Sequence, residues 1–408
     1  MKKLPERKQK NKMLYHLTPV MLAVMSMQAH GMIDNNSISS IKAHSLYHIK
    51  SNTLSAFASG FSPTQIRHAY GFDKIVNQGE GQTIGIVDAY DNPNAGSDLN
   101  VFSSAFGLPA CTTANGCFKV LYSNGSQPAG DWDWGVQISL DVQWAHAIAP
   151  KANILLVESA DSTYTNLLKA INLAVSQGAS VITMSWGSQE FSGQTQFDST
   201  FNVPGVEFIA PSGDAGTGVI YPSVAPNVIA VGGTTLHIDS SGNYASETAW
   251  SGSGGGFSQY ESEPAYQINF PIPSDTNNHR GAPDISYNAD PATGVSIYDS
   301  YGNYGWITIG GTSAGTSQIA AMIAIAKSAT TQHLTGISAM LYNLGKKDYS
   351  TLYHDITSGS NGACGYLCTA QTGYDYVTGL GSPVGDKLIS AITGTSPPPP
   401  PPDDRIPI

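Results

Sequence analysis

The chain has 408 residues, 41% of them apolar and only 12% charged, which is enough apolar side chain for a sizeable core and excludes an intrinsically disordered protein. Its formal net charge is −11, and six of the 19 basic residues fall before position 13; beyond position 29 the remaining 13 basic residues face 29 acidic ones, a balance near −16. So acidic a chain, with no basic stripe, is not a nucleic-acid binder.

Residues 1–29 have the layout of a secretory signal. Lys2, Lys3, Arg7, Lys8, Lys10 and Lys12 precede an apolar run from Leu17 to Met27, followed by Gln28 and Ala29. The run is too short to cross a bilayer, and no later run is long enough. The expectation is an exported protein, secreted or periplasmic, free of the membrane once the signal is removed. Residues 30–60 are polar, rich in Ser and Asn and without period, and read as a linker or a short pro-segment. A compact region is expected from 61 to 393. The tail, 394–408, contains consecutive prolines from Pro397 to Pro402, which form extended polyproline II rather than helix or strand.

Inside the compact region apolar strands alternate with helices. Thr83 to Asp88 reads as a buried strand, Trp134 to Ala149 as a helix and Ala152 to Glu158 as a second strand. Thr163 to Gln177 has the helical spacing of Leu167, Leu168, Ile171 and Ala174 and stops at Gly178. Ser180 to Trp186, Val206 to Pro211 and Val228 to Gly232 are further strands, and Gln318 to Ala326 is an apolar helix. This alternation predicts an α/β fold with a mainly parallel sheet covered on both faces, whose sites lie in loops at the carboxyl ends of the strands. The four cysteines form two close pairs, Cys111 with Cys117 and Cys364 with Cys368. Export favours two local disulfides over zinc, because only the second pair has ligand-like spacing and no His adjoins either pair in sequence.

Three segments carry residues suited to nucleophilic chemistry. Gly310-Gly-Thr-Ser-Ala-Gly-Thr-Ser317 places Ser313 near a helix N-terminus, where backbone N–H groups favour developing negative charge; an ordinary helix cap is the plainer reading. Ser212-Gly-Asp214-Ala-Gly216 puts a carboxyl at the lip of the sheet, able when protonated to donate to an oxyanion, or simply to shape an Asx-turn. Gln137 and Asp141 are four apart and share one helix face, which either meets the Ser or faces solvent.

Taken together these segments resemble the sedolisins, the serine-carboxyl peptidases, over about residues 61 to 388. Glu-x-x-x-Asp of that family aligns with 137–141, Ser-Gly-Asp with 212–214 and Gly-Thr-Ser with 311–313. Trp144 to Pro150, Gly232 to Thr235, Trp250 to Gly256 and Arg280 to Asp284 agree as well. The resemblance implies a subtilisin-like three-layer sandwich and catalytic roles for Ser313, Asp141, Gln137 and Asp214. It also implies a C-terminal calcium loop. There Asp355 and Asp375 would bind Ca²⁺ through side chains, and Ile356, Gln371 and Gly373 through carbonyl oxygens, all hard oxygen ligands. Cys364 and Cys368 fall within that loop, and Trp186 to Ser188 with Ser253 to Gly256 are expected walls of the cleft.

The chain departs from the family where it matters chemically. Gln137 stands where the family has the catalytic Glu, and a neutral amide cannot take the proton of a serine hydroxyl. It could still hydrogen-bond Ser313, and Asp133 or Asp131 could replace the base if the helix turns them inward. Ser317 replaces a Pro, which a hydroxyl cap in the first helical turn should tolerate. Some thirty residues between signal and compact region are few for a folding pro-domain, which argues against autocatalytic maturation. The leading expectation is therefore a secreted endopeptidase that hydrolyses polypeptides at acid pH through an acyl-enzyme on Ser313. A pseudo-peptidase that uses the same fold for binding is the alternative. An Asp-His-Ser subtilisin with Asp88 is disfavoured, because no His lies in a His-Gly-Thr context and His146 reads as a core residue. Subunit number stays open, with a monomer favoured.

Overall fold

Residues 40–50, 58–272, 278–302 and 304–395 are described by the structure, a computed structural model; the expected signal and the proline run lie outside them. Eight strands form the central sheet: β1 (Thr83–Ala89), β2 (Phe118–Tyr122), β3 (Asn153–Ser159), β4 (Val181–Thr183), β5 (Glu207–Pro211), β6 (Val228–Ile238), β7 (Tyr244–Ala249) and β8 (Ile285–Asn288). Their order is β7-β6-β5-β4-β1-β3-β2, with β8 beside β6. Every pairing is parallel except β6 with β7.

Alternate residues of the strands feed two separate cores. Ile84, Ile86, Ile154, Leu156, Ile209 and Val231 pack with the helices α1 (Trp132–Ile148) and α3 (Thr312–Ser328) on one face. Val87, Leu155, Val157, Ile182, Phe208 and Ala230 pack with α2 (Tyr164–Ser176) on the other. The result is the expected three-layer sandwich with a mainly parallel sheet. Helices α1 and α3 are buried on all sides, 134–148 and 312–327 being inaccessible, because neither carries a polar stripe for solvent. The solvent-facing alternative for Gln137 and Asp141 fails for the same reason: both are 0% exposed.

Two local details differ from the expected elements. Residues 180–186 do not form one strand; β4 stops at Thr183, and Trp186–Gln189 joins a small sheet with His44–Ser45 and Ile220–Tyr221. The aperiodic stretch before the domain contributes two short strands, because the surface it crosses supplies the partners. His44–Ser45 pairs antiparallel with Trp186–Gln189, and His48–Ile49 pairs antiparallel with Gly305–Gly310. Both cysteine pairs are disulfides. The fold does bring a His beside one of them: His146 lies within metal-ligand distance of Cys111 and Cys117, but with the sulfurs bonded to each other only the imidazole remains to coordinate.

Candidate active site

Ser313 is the second residue of α3, reached from a strand ending at Gly310 through Gly311. Gly311 has φ +114°, and a Cβ there would lie 2.6 Å from Asp214 Oδ2 and 2.7 Å from the Leu46 carbonyl oxygen. Only glycine fits, and the same contacts mark a spot where a carboxyl and a peptide carbonyl both crowd the start of the helix.

Asp214 follows β5 in a glycine-flanked loop, and its side chain is 6% exposed. Its Oδ1 accepts from the Thr312 N–H at 2.8 Å and the Thr312 hydroxyl at 2.6 Å, which caps α3. Its Oδ2 is buried and accepts no hydrogen bond among the described residues, with His48 Nε2 3.4 Å away. Burial pushes this carboxyl above the usual range, and the Thr312 donors pull it partly back.

The helix α1 supplies the second group. Asp131 caps it by accepting from the N–H groups of Asp133 and Trp134, and this fixes which residues face inward. Asp141 Oδ1 accepts from the Ser185 hydroxyl at 2.8 Å, and Oδ2 accepts from Gln137 Nε2 at 3.1 Å. Burial raises the Asp141 carboxyl, with the Ser185 and Gln137 hydrogen bonds opposing. Asp88, at the end of β1, is buried against it. Burial and then the Asp141 charge hold Asp88 well above the ordinary carboxyl range, and among the described residues neither Asp88 oxygen has an N–H or O–H donor.

Ser313 Oγ donates to the Ser185 carbonyl at 3.2 Å. The hydrogen bond expected from Gln137 is directed elsewhere: its amide nitrogen goes to Asp141 and its Oε1 accepts from Leu46 N at 3.1 Å. The two replacement bases also fail. Asp131 is used as the cap, and Asp133 accepts from the hydroxyls of Ser45 and Tyr47. Thus the structure brings Ser313, Asp214, Gln137 and Asp141 together beyond the carboxyl ends of the central strands β4 and β5. Sequence reasoning missed Ser185 and Thr312, whose role comes from flanking the motifs, and the stretch 44–49, whose pairing has no sequence period.

Residues 45–48 of that stretch line one side of a cleft of about 340 Å³, with Gln189, Gly213 to Ile220 and Gly254 as its other walls, so the expected walls contribute Gly254 alone to it. Leu46 to His48 lie along it, with the His48 ring edge-on to Trp250 at 5.7 Å.

At the C-terminal end, Asp355 Oδ1 accepts from Gly373 N and Tyr349 OH, both at 3.1 Å. Asp375 accepts from the N–H groups of Gln371, Val377 and Thr378. The 371–375 loop therefore carries Asp375 and, through Gly373 N, holds Asp355 from the segment after His354, with the buried Ile356 adjoining Asp355 and the Cys364–Cys368 bridge just before the loop. Neither carboxylate is in an ion pair among the described residues, and burial raises both, Asp375 to about 6. Two carboxylates with no cationic partner among the described residues are hard oxygen donors of the kind a divalent cation takes.

Residues 124–341 match the Subtilase family. Sedolisin of Pseudomonas sp. (strain 101) is 33% identical over 362 residues, covering 80% of this chain and 60% of that protein. Kumamolisin of Bacillus sp. (strain MN-32) is 30% identical over 379 residues, covering 84% and 65%. Tripeptidyl-peptidase 1 of Dictyostelium discoideum is 27% identical over 331 residues, covering 72% and 52%. The chain thus spans between half and two thirds of the length of these curated relatives. The solved structure of Pseudomonas sedolisin, a serine-carboxyl proteinase complexed with two molecules of pseudo-iodotyrostatin, overlays with a TM-score of 0.73 at 32% identity, covering 83% of this chain and 99% of that one.

Proposed function

The chain belongs to the subtilase family, in its sedolisin (serine-carboxyl peptidase) branch, and from that premise we propose that it is a secreted serine-type endopeptidase working at acid pH. The observation that carries the reading is the meeting of Ser313, Asp214 and Asp141 at the head of α3. Ser313 attacks the scissile carbonyl and forms an acyl-enzyme. Asp214, whose carboxyl burial pushes upward, donates from Oδ2 to the oxyanion when protonated, and this gives activity that declines as pH rises. Asp141, with Gln137, holds the proton side of the site.

The stretch 41–50 is read as the end of a pro-segment that lies in the substrate cleft. Its antiparallel pairing with Trp186–Gln189 is how an extended substrate adds to a sheet edge, and its continuation along Gly305–Gly310 carries a chain onward past Ser313. A cleft that accepts chain on both sides favours an endopeptidase over a tripeptidyl exopeptidase.

One observation favours a second reading. Gln137 is held between Asp141 and Leu46 and has no acid to offer, so a pseudo-peptidase that retains the cleft for binding is the alternative. Hydrolysis of an unfolded protein between about pH 3 and 6, assayed for the natural chain and for Gln137→Glu, separates the two. Activity in the natural chain supports the enzyme. Activity only after Gln137→Glu supports the binding module.

Asp355, Ile356, Gln371, Gly373 and Asp375 are assigned to Ca²⁺, which would neutralise the paired carboxylates and fix the C-terminal loop. Because the cation binds the folded chain alone, chelation is expected to lower the melting temperature, and readdition of Ca²⁺ to restore it, by roughly 3 kcal/mol of stability at a hundredfold excess over Kd. An unchanged melting curve with chelator contradicts the assignment.

A further inference from the structure

The stretch 44–49 shows how a chain sits in the cleft, and it meets one carboxylate that the chemistry leaves unused. His44 and Ser45 pair with Gly187 and Trp186, and His48 and Ile49 pair with Gly310 and Ile309, so Leu46 and Tyr47 bridge two strand pairings. The Leu46 N–H donates to Gln137 Oε1 at 3.1 Å. The Leu46 carbonyl oxygen and Tyr47 Cα lie 2.7 and 2.8 Å from the point where a Cβ on Gly311 would stand, and Asp214 Oδ2 lies 2.6 Å from the same point. The Leu46–Tyr47 peptide therefore crosses the turn that leads into Ser313, where a bond to be cut would lie. Ser45 and Tyr47 are two apart, so they project to one side of an extended chain. Both donate to a single carboxylate: Ser45 Oγ to Asp133 Oδ2 at 2.8 Å and Tyr47 OH to Asp133 Oδ1 at 2.5 Å. Leu46, between them, lines the cleft with Val219 and Ile220. Asp133 stands in the first turn of α1 and is in no ion pair among the described residues. When another chain takes the place of the stretch, that chain must supply the donors for both Asp133 oxygens or leave them unmet.

We propose that Asp133 is a specificity-determining residue: its one carboxylate reads the side chains on both sides of the cleft-bound apolar residue, taking hydroxyl or cationic groups and rejecting acidic ones. This deepens the peptidase reading above and rests on it. The substrate class is a polypeptide in which an apolar residue, at the place of Leu46, is flanked by donor side chains at the places of Ser45 and Tyr47. Cationic side chains are the best of these, because a charge-assisted hydrogen bond to a carboxylate is about twice as strong as a neutral one. An acidic side chain brings like charge against Asp133 and has no donor to offer. Asp133 acts on binding and register and takes no part in the proton transfers at Ser313.

The test has two arms, both at about pH 5, above the ordinary range of Asp and Glu side chains. The first measures kcat/KM for cleavage after the Leu in peptides that carry Arg, Ser or Glu before and after a central Leu. The natural chain is expected to prefer Arg over Glu at either place by about tenfold or more, with the difference chiefly in KM. Asp133→Asn shrinks that preference to about threefold or less, and Asp133→Lys reverses it. Equal preference in the natural chain and in Asp133→Asn overturns the proposal and leaves the peptidase reading standing. The second arm needs no activity. In the full chain carrying Ser313→Ala, hydrogen exchange of the amides of residues 44–49 is compared between Ser45→Arg and Ser45→Glu. The Glu variant is expected to exchange about tenfold faster, and the two to agree within about twofold once Asp133→Asn is added. Equal exchange with Asp133 in place overturns the proposal. A natural chain that cuts no peptide but shows the exchange difference overturns the peptidase reading and supports Asp133 as the selector of the chain held in the cleft.

Discussion

Ser313→Ala is expected to lower kcat on an unfolded protein by about 10⁴-fold or more while KM stays within about twofold. The hydroxyl stands at the head of α3 as the proposed nucleophile, and the residues that line the cleft do not include it. Folding should survive, because Ser313 makes a single long hydrogen bond to the Ser185 carbonyl and an alanine fits the same buried space. The companion substitutions separate its neighbours. Asp214→Ala removes the oxyanion donor, for about 10²–10³-fold in kcat, and also the cap of α3, so its melting temperature falls as well. Asp214→Asn keeps both a cap oxygen and an N–H donor that does not titrate. Its activity is expected to be intermediate and to persist further toward neutral pH than that of the natural chain. Activity of Ser313→Ala within tenfold of the natural chain would remove Ser313 as nucleophile.

The second large effect is on stability. Several buried carboxyls are held above the ordinary range: Glu158 is raised to about 9 by burial, with Asp91 adding to the effect, and Glu207 is raised to about 7 by burial, with Lys327 opposing. Glu247, held by the hydroxyls of Tyr70, Thr234 and Ser382, is raised as well. In the unfolded chain such groups lose their proton near pH 4.3, roughly, whereas the folded chain keeps it to higher pH. Between those values the folded state binds more protons, so stability is greatest in acid and falls as pH rises through 7 for Glu207 and toward 9 for Glu158. The expected loss between about pH 4 and 8 is a few kcal/mol, on the order of ten degrees in Tm. Glu158→Gln keeps an acceptor for the Asn92 N–H and has no proton to lose, so it should flatten the upper part of the slope. Urea midpoints that rise from pH 4 to 8 would contradict this. The sign is the one that the proposed acid-active reading requires, since these groups remain neutral in acid.

The sandwich was legible from the alternation of apolar strands and helices because both faces of the sheet are covered, which leaves β1 and β3 continuous apolar runs. Ser313, Asp214 and the 137–141 pair were legible because glycines and helix spacing leave a mark in sequence. What lay beyond sequence was direction. The spacing of Asp133 and Gln137 puts them on one helix face, yet only the Asp131 cap and the packing of α1 decide that Asp133 meets the stretch 44–49 and Asp141 meets Ser185. His146 near Cys111 and Cys117 is a tertiary contact between α1 and a loop, with no sequence spacing to announce it. The stretch 44–49 has no period of its own because its partners are the cleft edges, and a segment that borrows its hydrogen bonds from others has no pattern to read.

The most direct measurement is covalent labelling by a serine-directed inhibitor at acid pH, with the modified peptide identified by mass spectrometry. One label on Ser313, lost in Ser313→Ala and reduced in Asp214→Ala, is the predicted result. Labelling of another serine, or none on a folded chain whose stretch 41–50 has been released from the cleft, would show that the head of α3 is not a reactive centre.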